Sequence, residues 1–171
     1  MEMVAHYDAA GSVIGAVPRA RVRAEGLWHA CSSVLVRSGD GERVYVHRRT
    51  DTKDVFPGTH DCWAGGVVAA GETPDECAER ELAEELGVSG VPLTPLFTMT
   101  AEFDLPGRAP VREHMWAYEA RWDGPVVPQA AEVAEGWWLP LDDLRARLAD
   151  PSWPFIPDGR LAVEEWFRRR G

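Results

Sequence analysis

The rhythm of hydrophobic and polar positions changes several times along the chain, and each change marks an element. Over residues 74–86 the apolar side chains Ala78, Leu82 and Leu86 recur every fourth position, which stacks them in one stripe of a helix. The flanks agree with that reading. Thr73 suits an N-cap, Pro74 the first helical position, Glu76 the far end of a capping box, and Gly87 the left-handed residue that ends a helix. Upstream, β-prone runs dominate. Residues 7–17, broken by Asp8-Ala-Ala-Gly11, predict a short hairpin, and residues 18–25 a brief arginine-rich helix. Residues 29–36 and 43–48 flank Ser38-Gly-Asp-Gly41, a turn signal that predicts a second hairpin, and residues 62–69 predict a strand leading into the central helix.

Beyond the helix, residues 93–103 and 111–122 predict two strands joined by Leu105-Pro-Gly-Arg-Ala-Pro110, and 136–139 a short third. Helices follow at 140–149, with Asp142 and Asp143 in the first turn, and at 158–170, where Leu161, Val163, Trp166 and Phe167 are the apolar positions. Strands on both sides of a central helix, with more helix at the end, predict an α/β fold of the α/β/α sandwich type around a mixed β-sheet. A chain of 171 residues suits one domain spanning 1–171, with residues 1–25 as an N-terminal hairpin-and-helix extension.

Composition narrows the function classes. No run approaches the ~18 apolar residues of a membrane span, and the start MEMVAHYDAAGSV has neither a basic region nor a hydrophobic stretch. Neither membrane insertion nor secretion is predicted, and the expected location is cytoplasmic. Cys31, Cys62 and Cys77 are odd in number and lack C-x-x-C spacing, so they read as small buried residues rather than a disulfide framework or zinc site. A formal charge of -10 argues against duplex nucleic acid or a phospholipid surface as partner.

That charge would also repel a nucleotide, unless metal and local basic groups intervene. Glu81, Glu84 and Glu85 lie at i, i+3 and i+4, on a different face from the apolar stripe. Like charges so spaced cost a helix a few tenths of a kcal/mol per pair, roughly, so the cluster does not serve helix stability. Magnesium favours oxygen ligands and commonly sits between one or two carboxylates and substrate phosphates, so the three glutamates supply half of such a site. His47, Arg48, Arg49 and Lys53 form the nearest basic segment, with Arg48, Arg49 and Lys53 the candidate substrate-binding residues.

From Gly66 to Val88 the spacing is G-x5-E-x7-R-E-U-x-E-E-x-G-U, with U aliphatic and no position missing. At average residue usage a random chain of this length contains it with a probability on the order of 10^-7 or lower. The segment resembles the signature of the Nudix superfamily, whose members hydrolyse nucleoside diphosphates linked to other groups with divalent metal. The resemblance implies the α/β/α fold already read from the pattern. It also implies metal on Glu81, Glu84 and Glu85, joined by the backbone carbonyl of Gly65, with Mg2+ as the cation and Mn2+ as a substitute. Arg80 would pair with Glu72 to fix the turn. Upstream, His47-Arg-Arg-Thr-Asp-Thr-Lys53, Phe56-Pro-Gly58 and Asp61 ahead of Ala64-Gly-Gly66 are similar to the branch holding isopentenyl-diphosphate isomerase and its hydrolase relatives. The isomerase pattern needs a catalytic cysteine where Gly65 stands and a metal-binding histidine where Val67 stands. Neither residue can fill the role.

The expected activity is therefore metal-dependent pyrophosphohydrolysis of a nucleoside di- or triphosphate, or of a related diphosphate compound, by attack of water at phosphorus. The partner is a small phosphoanhydride. Glu84, Glu85, Arg80 and Glu72 form the expected catalytic set, with Glu85 or Glu84 as base and Glu132 and Glu135 as competitors from outside the signature. A metabolite-binding module that no longer turns over is the alternative, disfavoured by the intact acids. Of the eight tryptophans, Trp28, Trp116, Trp138 and Trp166 read as core, while Trp63 and Phe56 flank the site.

Overall fold

The elements along residues 1–170, which the computed structural model describes, are β1 (Met3–Tyr7), β2 (Val13–Pro18), α1 (Arg19–Glu25), β3 (Trp28–Arg37), β4 (Arg43–Arg49), β5 (His60–Asp61), β6 (Trp63–Val67), α2 (Pro74–Leu86), β7 (Thr94–Leu105), β8 (Arg108–Arg121), β9 (Val133–Pro140), α3 (Leu141–Leu148) and α4 (Pro157–Arg169). The central strand is β3. It runs parallel to β8 from Trp28↔Arg112 to Arg37↔Arg121, and antiparallel to β6 from Cys31↔Val67 to Leu35↔Trp63. β8 in turn carries β7 on its outer edge.

The expected hairpin between 29–36 and 43–48 is corrected here. β3 and β4 meet in one registered pair, Arg37↔Val44, and then part. Because β6 and β8 occupy both edges of β3, no ladder is left for β4, which instead takes β9 from Arg43↔Pro140 to Arg49↔Val133 and β5 at His47↔Asp61 and Arg48↔His60. The seven-stranded mixed sheet thus opens into two leaves around one turn.

Alternation along β3 assigns the layers. Val34 and Val36 pack with Ala78, Leu82 and Leu86 of α2, whereas Leu35 faces Leu144, Leu148, Ala162, Val163 and Trp166 of α3 and α4. Each such aliphatic side chain contributes roughly 1.5–3 kcal/mol on burial. The result is the expected α/β/α sandwich. On α2 the Thr73 hydroxyl accepts from the Glu76 amide at 3.2 Å, the Glu76 carboxylate accepts from the Thr73 amide at 3.4 Å, and Gly87 ends the helix at φ 67. Trp166 is core, and Trp28, Trp116 and Trp138 pack against buried clusters, as the sequence suggests.

The N-terminal segment forms a hairpin and the predicted helix, but the hairpin begins earlier than residue 7: β1 runs up to the Asp8–Gly11 turn from Met3, pairs with β2, and its Ala5 amide donates to the Val68 carbonyl. β7 and β8 run further than expected, to Leu105 and Arg108, because Pro106 and Gly107, the latter at φ 68, close the hairpin in two residues. β9 is longer than residues 136–139 because β4 offers a partner along its whole length. No helix of the described residues is long and apolar enough to cross a membrane.

Candidate active site

α2 presents its polar face to β6, and two glycines make the approach possible. A Cβ on Gly65 would lie 1.9 Å from the Ser32 carbonyl oxygen, so that position has no room for a side chain, and one on Gly66 would lie 2.4 Å from Glu81 Oε1 and displace the Glu81 carboxylate. The Gly65 amide donates to Glu85 Oε2 at 3.4 Å. Arg80 holds the loop to the helix: it donates to Glu72 in a two-pronged pair at 2.7 and 2.9 Å, to Glu81 Oε1 at 2.8 Å and to the exposed Glu84 at 3.3 Å. Glu72 also accepts from the Ala69 amide at 3.0 Å. The Arg80 bonds, followed by that amide, keep the Glu72 carboxyl below its ordinary range.

Glu85 is differently placed. Its side chain is 13% exposed, and Oε1 lies 3.3 Å from Nε2 of the buried His47. Burial, then Asp61 and Glu81, push its carboxyl up to about 8, and burial with Asp158 does the same to Asp61, also to about 8. Burial, then Arg49, push His47 down to about 3, which leaves it neutral. His47 is therefore no phosphate-binding cation, as its place in a basic run suggested; it faces a carboxyl instead. A set of crowded oxygen donors that resist ionising in the protein alone fits a hard divalent cation, whose charge would reverse that penalty.

The sign for the metal-free protein follows. Glu85 and Asp61 hold protons up to about 8 when folded, against 4.5 and 3.8 unfolded, so the folded chain binds more protons in between and loses stability as pH rises through that window. His47, at about 3 folded against 6.5 unfolded, opposes this slope only below about 6.5. Melting in chelator should show a falling midpoint from about pH 6.5 to about 8.5. Mg2+ should raise the midpoint more at the upper end. A flat profile, or equal metal effects at both ends, would contradict this electrostatic account.

These groups line a cavity of about 370 Å³, within the ordinary range for small-molecule sites. Arg49 and Lys53 reach it; Arg49 donates to the carbonyls of Val55 and Phe56 at 2.8 and 3.2 Å, and Lys53 pairs with Glu132, itself on the cavity wall. Arg48 is not brought in, pairing at 3.4 Å with Asp51 and with Glu135, and neither Arg48 nor Glu135 lines the cavity. Trp63 and Phe56 do line it, though Trp63 is only 3% exposed and donates its indole N–H to the Gly159 carbonyl at 3.1 Å.

Sequence reasoning missed several wall residues. Arg19 and Arg23 come from one face of α1, Arg108, Arg112 and Glu113 from β8, and Asp61, Asp158 and the pair His29 and Cys31 from three further segments. The i, i+4 spacing of Arg19 and Arg23 was the one available signal. Outside the cavity lining, Asp54 accepts from Arg23 and, at 3.3 Å, from Arg108, so three separate segments meet on a single carboxylate.

Comparison with known proteins gives a consistent result. A family model described as NUDIX domain matches residues 27–159. Nudix hydrolase orf19 of Rhodococcus erythropolis is 53% identical over 169 residues, covering 96% of this chain and 91% of that protein. Nudix hydrolase SCO1686 of Streptomyces coelicolor is 42% identical, over 99% of this chain and 91% of its own length. Among solved structures, DR0079 from Deinococcus radiodurans superposes with a TM-score of 0.77 at 26% identity, covering 96% of this chain and 98% of its own.

Proposed function

The chain belongs to the Nudix hydrolase superfamily, and from that premise we propose that it is a divalent-metal-dependent pyrophosphohydrolase acting on a nucleoside di- or triphosphate, or a related nucleoside diphosphate derivative. The observation that carries the reading is the convergence of Glu81, Glu84 and Glu85 on one wall of a cavity that Arg49, Lys53 and Arg19 also line. Acids for a cation and bases for phosphate oxygens thus face one space.

In this reading Glu81, Glu84 and Glu85 hold Mg2+, or Mn2+ in its place, with the Gly65 carbonyl as a further ligand. When bound, the metal neutralises phosphate oxygens and eases deprotonation of water. The chain's own residues do the rest. Arg80, tied to Glu72 and Glu81, fixes the turn on which the ligands stand. Arg49 and Lys53 orient the phosphates, and Arg19 extends that basic wall from α1. Glu85, whose carboxylate stands on the cavity wall, accepts the proton of the attacking water. Glu132, held by Lys53, is the second base within the cavity, while Glu135 lies outside it.

Phosphate and pyrophosphate release followed over a panel of nucleotides and nucleotide conjugates tests the proposal. At least one compound should be hydrolysed in Mg2+, with the rate falling by about 10^2-fold or more in chelator. Nucleotides that bind but survive intact in Mg2+ would instead mark a binding module without turnover.

A further inference from the structure

A second cluster on the wall of the same cavity has no part in hydrolysis at the glutamates. Residues two apart on a strand share a face, so His29 and Cys31 continue the row of Leu35 and Ser33 on β3, and β8 brings Glu113 beside them in the register His29↔Glu113. Where this face is covered by α3 and α4 it is apolar, with Leu35, Met115 and Ala117 in the core. Where it reaches the cavity it becomes a nitrogen, a sulfur and a carboxylate, whose ligand atoms all lie within 4.8 Å of one another.

The hydrogen bonds of these groups leave lone pairs turned toward one another. His29 Nδ1 is 3.2 Å from the Leu27 carbonyl, which can only accept, so Nδ1 carries the ring proton and Nε2 keeps its lone pair. That lone pair faces Glu113 Oε2 at 3.8 Å, acceptor against acceptor. Cys31 Sγ lies 3.2 Å from the same oxygen. Glu113 is 3% exposed, and its other oxygen, Oε1, has no hydrogen-bond donor among the described residues. A buried acceptor left without a donor is unfavourable, because it has given up water and gained no partner. Burial and the neighbouring Asp158 push the Glu113 carboxyl well above its ordinary range, so no anion is comfortable there without a positive partner.

We propose that His29 Nε2, Cys31 Sγ and the Glu113 carboxylate bind one transition-metal cation of the Zn2+ class, at a site separate from the hard-cation site of Glu81, Glu84 and Glu85. An imidazole, thiolate and carboxylate set suits Zn2+ and is poor for Mg2+, which takes oxygen. The Nδ1-to-carbonyl bond of His29 is the anchor that metal-binding histidines use to fix ring and tautomer. Three protein ligands leave a fourth position for water or a substrate oxygen from the cavity. On binding, the protons of Cys31 and Glu113 leave to solvent and no electron moves.

Cobalt(II) is the probe. Titrated into metal-free protein, it should give one sulfur-to-cobalt charge-transfer absorption per chain, unaffected by excess Mg2+ and abolished by stoichiometric Zn2+. Cys31→Ser should remove the band and weaken Zn2+ binding by at least about 100-fold, beyond the ~10–100-fold that loss of an outer partner costs. The Glu81→Gln, Glu85→Gln double variant should keep the band. Circular dichroism and melting report whether each variant folds, and the wild-type spectrum decides independently of any variant. Absence of the sulfur band in wild type overturns the proposal and leaves a thiol beside a proton-sharing carboxyl pair; a band that survives Cys31→Ser overturns it too.

Discussion

Replacing Glu85 by glutamine is expected to lower turnover by on the order of 10^3-fold or more, about 4 kcal/mol in the activation barrier, while the chain stays folded. Glutamine keeps an acceptor for the Gly65 amide and presents an N–H to the neutral His47, so both contacts of the buried side chain survive. What is lost is a ligand charge and a base. Since the wild-type carboxyl is held up to about 8, the variant should melt at or above the wild-type temperature in chelator at alkaline pH, and much of the pH slope should go with it. Steady-state kinetics beside thermal melting checks this. Near wild-type turnover would remove Glu85 from the metal site and the reaction alike.

The second large effect belongs to Arg80. Its side chain is 34% exposed, but Glu72 and Glu81, which it joins, are 13% and 19% exposed. Arg80→Ala leaves two largely buried carboxylates without their shared cation. Breaking a fully buried pair costs ~3–5 kcal/mol; allowing for the exposure of Arg80, about 2–3 kcal/mol is expected, a fall of roughly 4–10 °C in melting temperature. Activity should fall about 10^2-fold as Glu81 loses its position. Arg80→Lys should recover only part of either loss, because an ammonium cannot reproduce the two-pronged bond to Glu72. Excess Mg2+ should raise the rate of Arg80→Ala and not that of the wild type. Wild-type melting in Arg80→Ala would show that the clamp is dispensable.

What could be read from sequence was what is local. The helix of Pro74–Leu86 rests on Thr73, Glu76 and Gly87, within or next to its own span, and the Arg80–Glu72 pair follows from the resemblance that the contiguous signature carries. β5 has two residues, too few to carry a period, yet it places Asp61 beside His47. His47 stands in a run of basic residues, and only the pairing of β4 with β9 and β5 shows that it is buried and neutral. Cys31 read as a small core residue, but it is half-buried and bonded to Glu113, 82 positions away, through the parallel register of β3 and β8. Such register is set by strand order, which no short pattern records.

Arg23 of α1 and Arg108 of β8 meet on Asp54, which joins three segments distant in sequence. These side chains are 33%, 40% and 59% exposed, and ion pairs in that setting are worth roughly 0.2–1 kcal/mol each. At about 1 kcal/mol, a contact is open roughly one part in six. The tie is therefore a loose stitch between α1, the loop carrying Asp54 and β8: side-chain motion alone opens it, more often in higher salt, with no strand or helix required to let go.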